Sequence, residues 1–107
     1  DMARLADLRA AVGHAQADTL LAMMATDIVE RANRIATLLA EEDFRRAVTQ
    51  AHALRGAADG IGALDLAQQC RAIEHETERS GGPIVACATA TVAAIDQARR
   101  HAATSSA

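Results

Sequence analysis

Residues 51–62 read AHALRGAADGIG, a segment that places His52 and Gly56 one helical turn apart. Residues three and four apart on a helix are neighbours on its surface, so Arg55 and Gly56 both lie beside the imidazole. A glycine inside a helix costs about 1 kcal/mol relative to alanine. Because the chain uses alanine freely on both sides of Gly56, the glycine needs a reason other than helix formation. This segment is therefore the first candidate for a functional site.

The composition favours a small helical domain. A chain of 107 residues has room for one hydrophobic core. Half of the residues are apolar, yet there is one Phe and no Trp or Tyr, whereas strands prefer aromatic and β-branched side chains. The net charge of −3 argues against nucleic acid and anionic membranes as partners. No apolar run is long enough to span a membrane and no signal peptide opens the chain, which predicts a cytoplasmic protein.

Four amphipathic segments predict the long helices of an all-α fold. They run from Thr19 to Ala40, from Phe44 to Asp59, from Ala63 to Arg79, and from Pro83 to about His101. A shorter amphipathic helix, Met2 to about Val12, precedes them, and residues 102–107 are expected to form a flexible tail. The prediction is one domain over residues 1–107, an up-down-up-down four-helix bundle with a short extra N-terminal helix.

Local signals predict where these helices begin and end. Asp18 and Asp43 are the expected N-caps, although i,i+4 charge pairs from Glu41 and Glu42 also suit an earlier start of the second long helix. Gly60 is the expected left-handed residue at the end of that helix. The predicted core faces are Leu20, Met24, Ile28, Ile35, Leu38 and Leu39; Phe44, Ala47, Val48, Ala51, Leu54 and Ala58; Leu66, Cys70, Ile73 and Thr77; and Ile84, Ala88, Thr91, Val92 and Ile95.

The cysteines and the remaining histidines carry no predicted chemistry. Cys70 and Cys87 lie at apolar helical positions, which indicates small buried hydrophobes in a reducing compartment, with a disulfide as the less favoured alternative. His14, His75 and His101 share no i,i+4 register, so no metal site is predicted.

At about 100° per residue, His52 falls at the margin of its helix and should point to solvent. It shares a stripe with Arg45, Thr49, Gly56 and Asp59, which we expect to form a surface for a protein partner. Considered separately, each residue has an alternative interpretation. His52 would be an ordinary solvated side chain, and Gly56 would be a site of close helix packing.

The chemistry that this arrangement suits is phosphoryl transfer. An exposed neutral imidazole is a nucleophile near pH 7 and needs no base to activate it. Phosphoryl transfer demands mainly positioning and compensation of negative charge, and Arg55 supplies a positive charge one turn from His52. Gly56 leaves room for another protein's catalytic pocket to close over the ring.

The longer segment from Ala51 to Glu74 reads AHALRGAADGIGALDLAQQCRAIE and resembles the signature of histidine-containing phosphotransfer domains. That signature is H-x-L-K-G, then small residues, L-G-A and a helix ending in C-x-x-L-E. His52 matches the family's phosphoacceptor histidine and Gly56 its glycine. Arg55 stands where the family usually has lysine, and Glu74 stands where a polar side chain, often glutamine, approaches the imidazole from the next helix.

The resemblance implies a phosphocarrier in a bacterial-type phosphorelay. His52 would accept a phosphoryl group from the aspartyl phosphate of one receiver domain and pass it to an aspartate of another. The implied partners are response-regulator receivers and a sensor or hybrid histidine kinase, and the chain is expected to be a monomer, free-standing or part of a hybrid kinase. One departure is that Ala57 and Ala58 replace a pair that often contains serine.

No ATP-binding signature occurs, so the domain is not expected to be an enzyme by itself. No cofactor is predicted, and Mg²⁺ is expected only with the receiver partner. The alternative function is an interaction module of the same fold that docks on a receiver or kinase without transferring phosphate. A metal- or haem-binding bundle is a weaker alternative, because the sequence lacks inward-facing His or Glu pairs at matched levels.

Overall fold

The computed structural model describes residues 13–106, which contain four α-helices and the short connections between them. The helices are α1 (His14–Ala40), α2 (Phe44–Ile61), α3 (Leu64–Glu74) and α4 (Gly82–Ser106). Each helix packs against the next, and α1 also packs against α4, which closes a four-helix bundle. The predicted all-α bundle is thereby confirmed, whereas the predicted helix from Met2 to Val12 lies outside the described residues. Within residues 13–106, no helix combines the length and the apolar character that crossing a membrane requires.

The core-facing stripe of α1 is confirmed at Ile28, Ile35, Leu38 and Leu39, which are buried as predicted, but it differs in the first turns of the helix. Leu21 is fully buried, whereas Leu20, which was expected in the core, is 36% exposed. Leu21 shares its face with Ala17, Ala25 and Ile28, all of which are buried. The prediction was wrong for Leu20 because it used only the large apolar residues and left out the alanines that share the core face in this closely packed bundle.

The start of α1 also differs from the prediction, because the helix begins at His14 instead of Thr19. Gly13 precedes it with a φ of 83°. Asp18 is therefore not an N-cap but lies inside α1, where its carboxylate accepts hydrogen bonds of 2.8 and 3.2 Å from Arg99 of α4. A tertiary partner engages the carboxylate that the local pattern had assigned to a cap.

The ends of α2 show one correct and one wrong prediction. Asp43 is the N-cap, since its side chain accepts the backbone N–H of Arg46 at 3.3 Å. At the other end, Gly60 stays helical and Gly62 takes the left-handed conformation, with a φ of 73°. The helix runs two residues further than expected because Ile61 is buried in the core and its packing stabilises the last turn.

The third helix is shorter than predicted and the fourth is longer. α3 ends at Glu74 instead of Arg79, because Glu76 takes a left-handed φ of 59° and turns the chain. Thr77, expected in the core, is consequently exposed. Pro83 lies in the first turn of α4 as predicted, and the helix continues past His101.

The connection between α3 and α4 packs closely onto α1 and α2. Gly81 approaches Ala36 of α1 so closely that a Cβ on the glycine would overlap the alanine Cβ. The guanidinium of Arg79 lies 4.7 Å from the ring centroid of Phe44, a cation–π contact with the first residue of α2. These contacts tie the start of α4 to the other helices.

Replacing Gly81 with alanine should destabilise the fold by about 1–3 kcal/mol, the usual cost of overpacking. The added Cβ meets both the Cβ and the backbone Cα of Ala36, so the connection itself must move. Gly82→Ala is the matched control, since a Cβ there meets nothing within 4 Å. Urea unfolding measures both, and equal stabilities of the two variants would contradict the described packing.

The two cysteines differ in burial. Cys70 is fully buried on α3, and burial raises the pKa of its thiol to about 12. Cys87 was also expected to be buried but is only partly so, although desolvation raises its pKa as well. Both are free thiols.

Iodoacetamide at pH 8 should therefore alkylate Cys87 and spare Cys70 in the folded protein. Thiolate is the reactive form, and each unit of raised pKa lowers its fraction about tenfold, so burial and protonation both protect Cys70. Mass spectrometry of the Cys87→Ser variant before and after urea unfolding isolates the reaction of Cys70. Comparable alkylation in the folded and unfolded states would show that α3 is not packed as described.

Candidate functional site

His52 lies on the outer side of α2, with its imidazole exposed to solvent. Its side chain is 70% exposed, whereas the adjacent Ala51 and the nearby Leu54 are fully buried in the core. The helical period of α2 predicts that His52 points to solvent, as observed. A reactive group at this position is held by a rigid helix and is open to another molecule.

The last residue of α3, Glu74, holds the imidazole from the side. Its Oε1 lies 2.8 Å from His52 Nδ1. The side chain of Glu74 is only 14% exposed, so the carboxylate lies in the seam between α2 and α3 while the imidazole that it contacts is open to solvent. The two residues meet because α2 and α3 reverse direction through Gly62 and Ala63, midway between them in the sequence.

Arg55 also contacts the imidazole, since its Nη2 lies 3.2 Å from the same Nδ1. One ring nitrogen cannot donate to Glu74 and accept from Arg55 at the same time. The shorter contact is to a carboxylate, and charge-assisted hydrogen bonds are the stronger class, so we assign the proton to Nδ1 and its hydrogen bond to Glu74. Nε2 then carries the lone pair, and no described residue hydrogen-bonds to it.

The second carboxylate oxygen of Glu74 is engaged by Arg55. Arg55 Nε lies 2.9 Å from Glu74 Oε2, an ion pair between side chains that are 31% and 14% exposed. The pair is a charge contact only, because Oε2 is buried and has no hydrogen-bond partner among the described residues. Arg55 thus compensates a carboxylate that is largely shielded from water.

Gly56 lies one turn beyond His52 on the exposed side of α2. A Cβ built at this position meets nothing within 4 Å. Close packing within the described chain therefore does not explain the glycine, and its helix penalty of about 1 kcal/mol has no internal compensation. An external reason, such as access for a partner, fits better.

The three residues predicted to flank His52 are all exposed on α2. The hydroxyl of Thr49 donates to the backbone carbonyl of Arg45 at 3.2 Å, so its proton is already used. Asp59 forms an ion pair of 3.5 Å with Arg71 of α3. The stripe is continuous along the helix, but these three side chains do not contact the imidazole in the described contacts.

Sequence reasoning missed the Arg55–Glu74 and Asp59–Arg71 ion pairs. Such pairs are predictable when opposite charges fall at facing positions of two antiparallel helices. Which positions face each other depends on where the chain turns, and the predicted turn at Gly60 gives a register that differs from the observed one.

Among the side chains that the structure describes, residues 15–102, no three from His, Cys, Asp or Glu come together in a group that could hold a metal ion.

Comparison with known proteins gives one match. The family model described as Hpt domain matches residues 19–101, which include most of α1, all of α2 and α3, and α4 as far as His101. Searches of curated proteins and of solved structures returned no match. Domains of this kind carry a phosphoryl group on a histidine in two-component phosphorelays, have no ATP site of their own, and interact with receiver domains and kinases. Because the match extends over most of the chain and through all four helices, this protein belongs to the Hpt domain family.

Proposed function

We propose that this domain is the phosphocarrier of a multistep phosphorelay and that His52 is its phosphoacceptor. It takes the phosphoryl group from the aspartyl phosphate of one receiver domain and delivers it to the aspartate of another. The observation that carries the proposal is the exposed imidazole whose Nδ1 lies 2.8 Å from Glu74 Oε1, which leaves Nε2 without a hydrogen-bond partner among the described residues.

The transfer itself is a displacement at phosphorus. The Nε2 lone pair forms the N–P bond while the P–O bond to the receiver aspartate breaks, and the electron pair of that bond returns to the aspartate carboxylate. Anchoring of Nδ1 matters because it holds both the tautomer and the orientation of the ring before the donor arrives. Glu74 is therefore a positioning residue in this proposal.

Arg55 has two roles in the proposal. Its Nε neutralises Glu74 at 2.9 Å, and the remaining guanidinium N–H groups lie near the ring, where they can compensate charge on the transferred phosphoryl oxygens. Mg²⁺ would come with the receiver, whose carboxylates are the ligands such a cation prefers.

The receiver is proposed to dock along the exposed stripe of α2. Gly56 lies at its centre, Arg45 and Thr49 extend it towards the start of the helix, and Asp59 extends it towards the end. A partner that seats on this stripe covers His52 from the solvent side and brings its aspartate to Nε2.

Incubation with a phosphorylated receiver should transfer label to the wild-type domain and leave His52→Gln unlabelled. Glutamine keeps a polar side chain at an exposed position, so the variant should fold and still bind the receiver. The label should be acid-labile and base-stable, as expected of an N–P bond, and mass spectrometry should locate it on His52.

This experiment also separates the phosphocarrier from the non-transferring interaction module. Receiver binding without any label on His52, beside an active control carrier labelled by the same receiver, would favour the interaction module. Equal labelling of wild type and His52→Gln would place the acceptor on another residue and contradict the proposal.

Gly56→Leu should slow phosphoryl transfer from the receiver by at least about tenfold, an increase of about 1.4 kcal/mol in the barrier. The leucine side chain fills the space beside His52 that a receiver needs. Gly82→Leu is the control, because Gly82 is also an exposed helical glycine whose Cβ would meet nothing within 4 Å, and it lies on α4, outside the docking stripe of α2. Neither substitution should unfold the bundle, since leucine has a higher helix propensity than glycine.

A small phosphoryl donor shows whether Gly56→Leu blocks the approach of the receiver or impairs the reaction of His52 itself. Phosphoramidate needs no protein pocket, so it should label Gly56→Leu as fast as the wild type. If receiver transfer is equally fast in Gly56→Leu, Gly82→Leu and the wild type, Gly56 does not serve access.

A further inference from the structure

We infer that the carboxylate of Glu74 keeps the proton on Nδ1 after His52 has been phosphorylated, and so holds the phosphohistidine in its reactive form. The inference rests on the proposed function, because it concerns the phosphorylated state of His52. It adds a determinant of how long the phosphoryl group stays on this carrier.

In the unmodified ring, with the proton assigned to Nδ1, Nδ1–H donates to Glu74 at 2.8 Å and Nε2 carries the lone pair. Attack of Nε2 on phosphorus therefore produces a ring with phosphorus on one nitrogen and a proton on the other. That ring is positively charged, and its proton is directed at a carboxylate 2.8 Å away.

Loss of the Nδ1 proton would change the onward reaction. When the next aspartate attacks phosphorus, the N–P bond breaks and its electron pair returns to Nε2. With Nδ1 protonated, the leaving group is a neutral imidazole, whereas without that proton it is an imidazolate anion, a much poorer leaving group. The group that keeps the proton in place therefore controls how readily the phosphoryl group leaves.

Glu74 suits this task better than a neutral side chain would. A glutamine at this position also accepts a hydrogen bond from Nδ1–H, so it preserves the tautomer, but it has no charge to stabilise a protonated ring. Glu74 is 14% exposed, which limits screening of its charge by water. The carboxylate thus distinguishes this chain from one that only orients its histidine.

Arg55 opposes Glu74. Its guanidinium lies 3.2 Å from Nδ1 and disfavours a positive ring, but it also pairs with Glu74 Oε2 at 2.9 Å. The net field at the ring is the balance of one carboxylate against one guanidinium. Removal of the Glu74 charge should therefore favour loss of the proton from the phosphorylated ring, whereas removal of the Arg55 charge should favour its retention.

The other charged groups around this part of α2 leave that balance in place. Arg71 of α3 pairs with Asp59 of α2 at 3.5 Å, and Arg45 lies exposed towards the start of α2. On α1, the other helix packed against α2, Asp27 and Arg31 pair with each other at 2.8 Å. None of these side chains contacts the imidazole in the described contacts.

The test compares wild type, Glu74→Gln and Arg55→Gln after phosphorylation with phosphoramidate. A ³¹P NMR titration gives the pH at which the phosphorylated ring loses its proton, and His52→Gln identifies signals from the other histidines. The midpoint should fall by about one pH unit in Glu74→Gln and rise in Arg55→Gln, since loss of one charge-assisted contact changes the proton equilibrium by about tenfold. At a pH above both midpoints, spontaneous loss of phosphate should be about tenfold slower in Glu74→Gln than in the wild type.

Glu76→Gln is the matched control, because it removes the same charge as Glu74→Gln. Glu76 is exposed just beyond α3 and does not contact His52 in the described structure. The midpoint of this variant should stay close to that of the wild type. Midpoints that coincide in wild type and Glu74→Gln, or that move the same way in Glu74→Gln and Arg55→Gln, would overturn the inference. Circular dichroism and thermal unfolding establish that all variants keep the bundle.

Failure of the inference and failure of the proposed function give different results. If the midpoints coincide while a phosphorylated receiver still labels His52, the inference is wrong and the phosphocarrier function stands. If the midpoints shift as expected but no receiver labels His52, Glu74 holds the ring proton and the phosphocarrier function is wrong.

Discussion

The contact between Glu74 and His52 depends on the register of two antiparallel helices. Gly62 takes a left-handed conformation after α2, and the backbone N–H of Ala63 donates to the carbonyl of Ala58 at 2.8 Å, which ends the helix and reverses the chain. A shift of one residue along α3 would rotate Glu74 by about 100° around its helix axis and away from the imidazole. The hydrogen bond to Nδ1, the free lone pair on Nε2 and the ion pair with Arg55 all follow from this register.

The site contains little besides one histidine and its two charged neighbours. No polar or charged residue is buried among residues 15–102, whose side chains the structure describes, so the core is an apolar scaffold and the chemistry lies on its surface. Small residues such as Ala51 and Ala58 allow the helices to approach closely, and this packing holds the backbone of α2 rigid beneath His52. A phosphocarrier needs that combination, because its imidazole must be well oriented and must also be reached by the active sites of other proteins.

Much of the fold follows from patterns within single segments. The four long helices, the Asp43 cap and the position of Pro83 were all predicted, because they depend on periodicity and on backbone groups a few residues away. Wrong predictions occur where a distant residue intervenes. Asp18 was expected to be a cap but pairs with Arg99 across the bundle, and Leu20 was expected in the core, where Leu21 lies instead.

The sequence by itself determined which residues can do chemistry and where the helices that carry them lie. His52, Arg55 and Gly56 are neighbours through the period of one helix, so their proximity and the exposure of the imidazole required no knowledge of the tertiary fold. Only the tertiary structure decided that the two carboxylate oxygens of Glu74 meet different partners: Oε1 accepts from His52 Nδ1, and Oε2 pairs with Arg55. The physical reason is that contacts within a helix are set by local geometry, whereas contacts between helices depend on the turn and on core packing, which no single segment encodes.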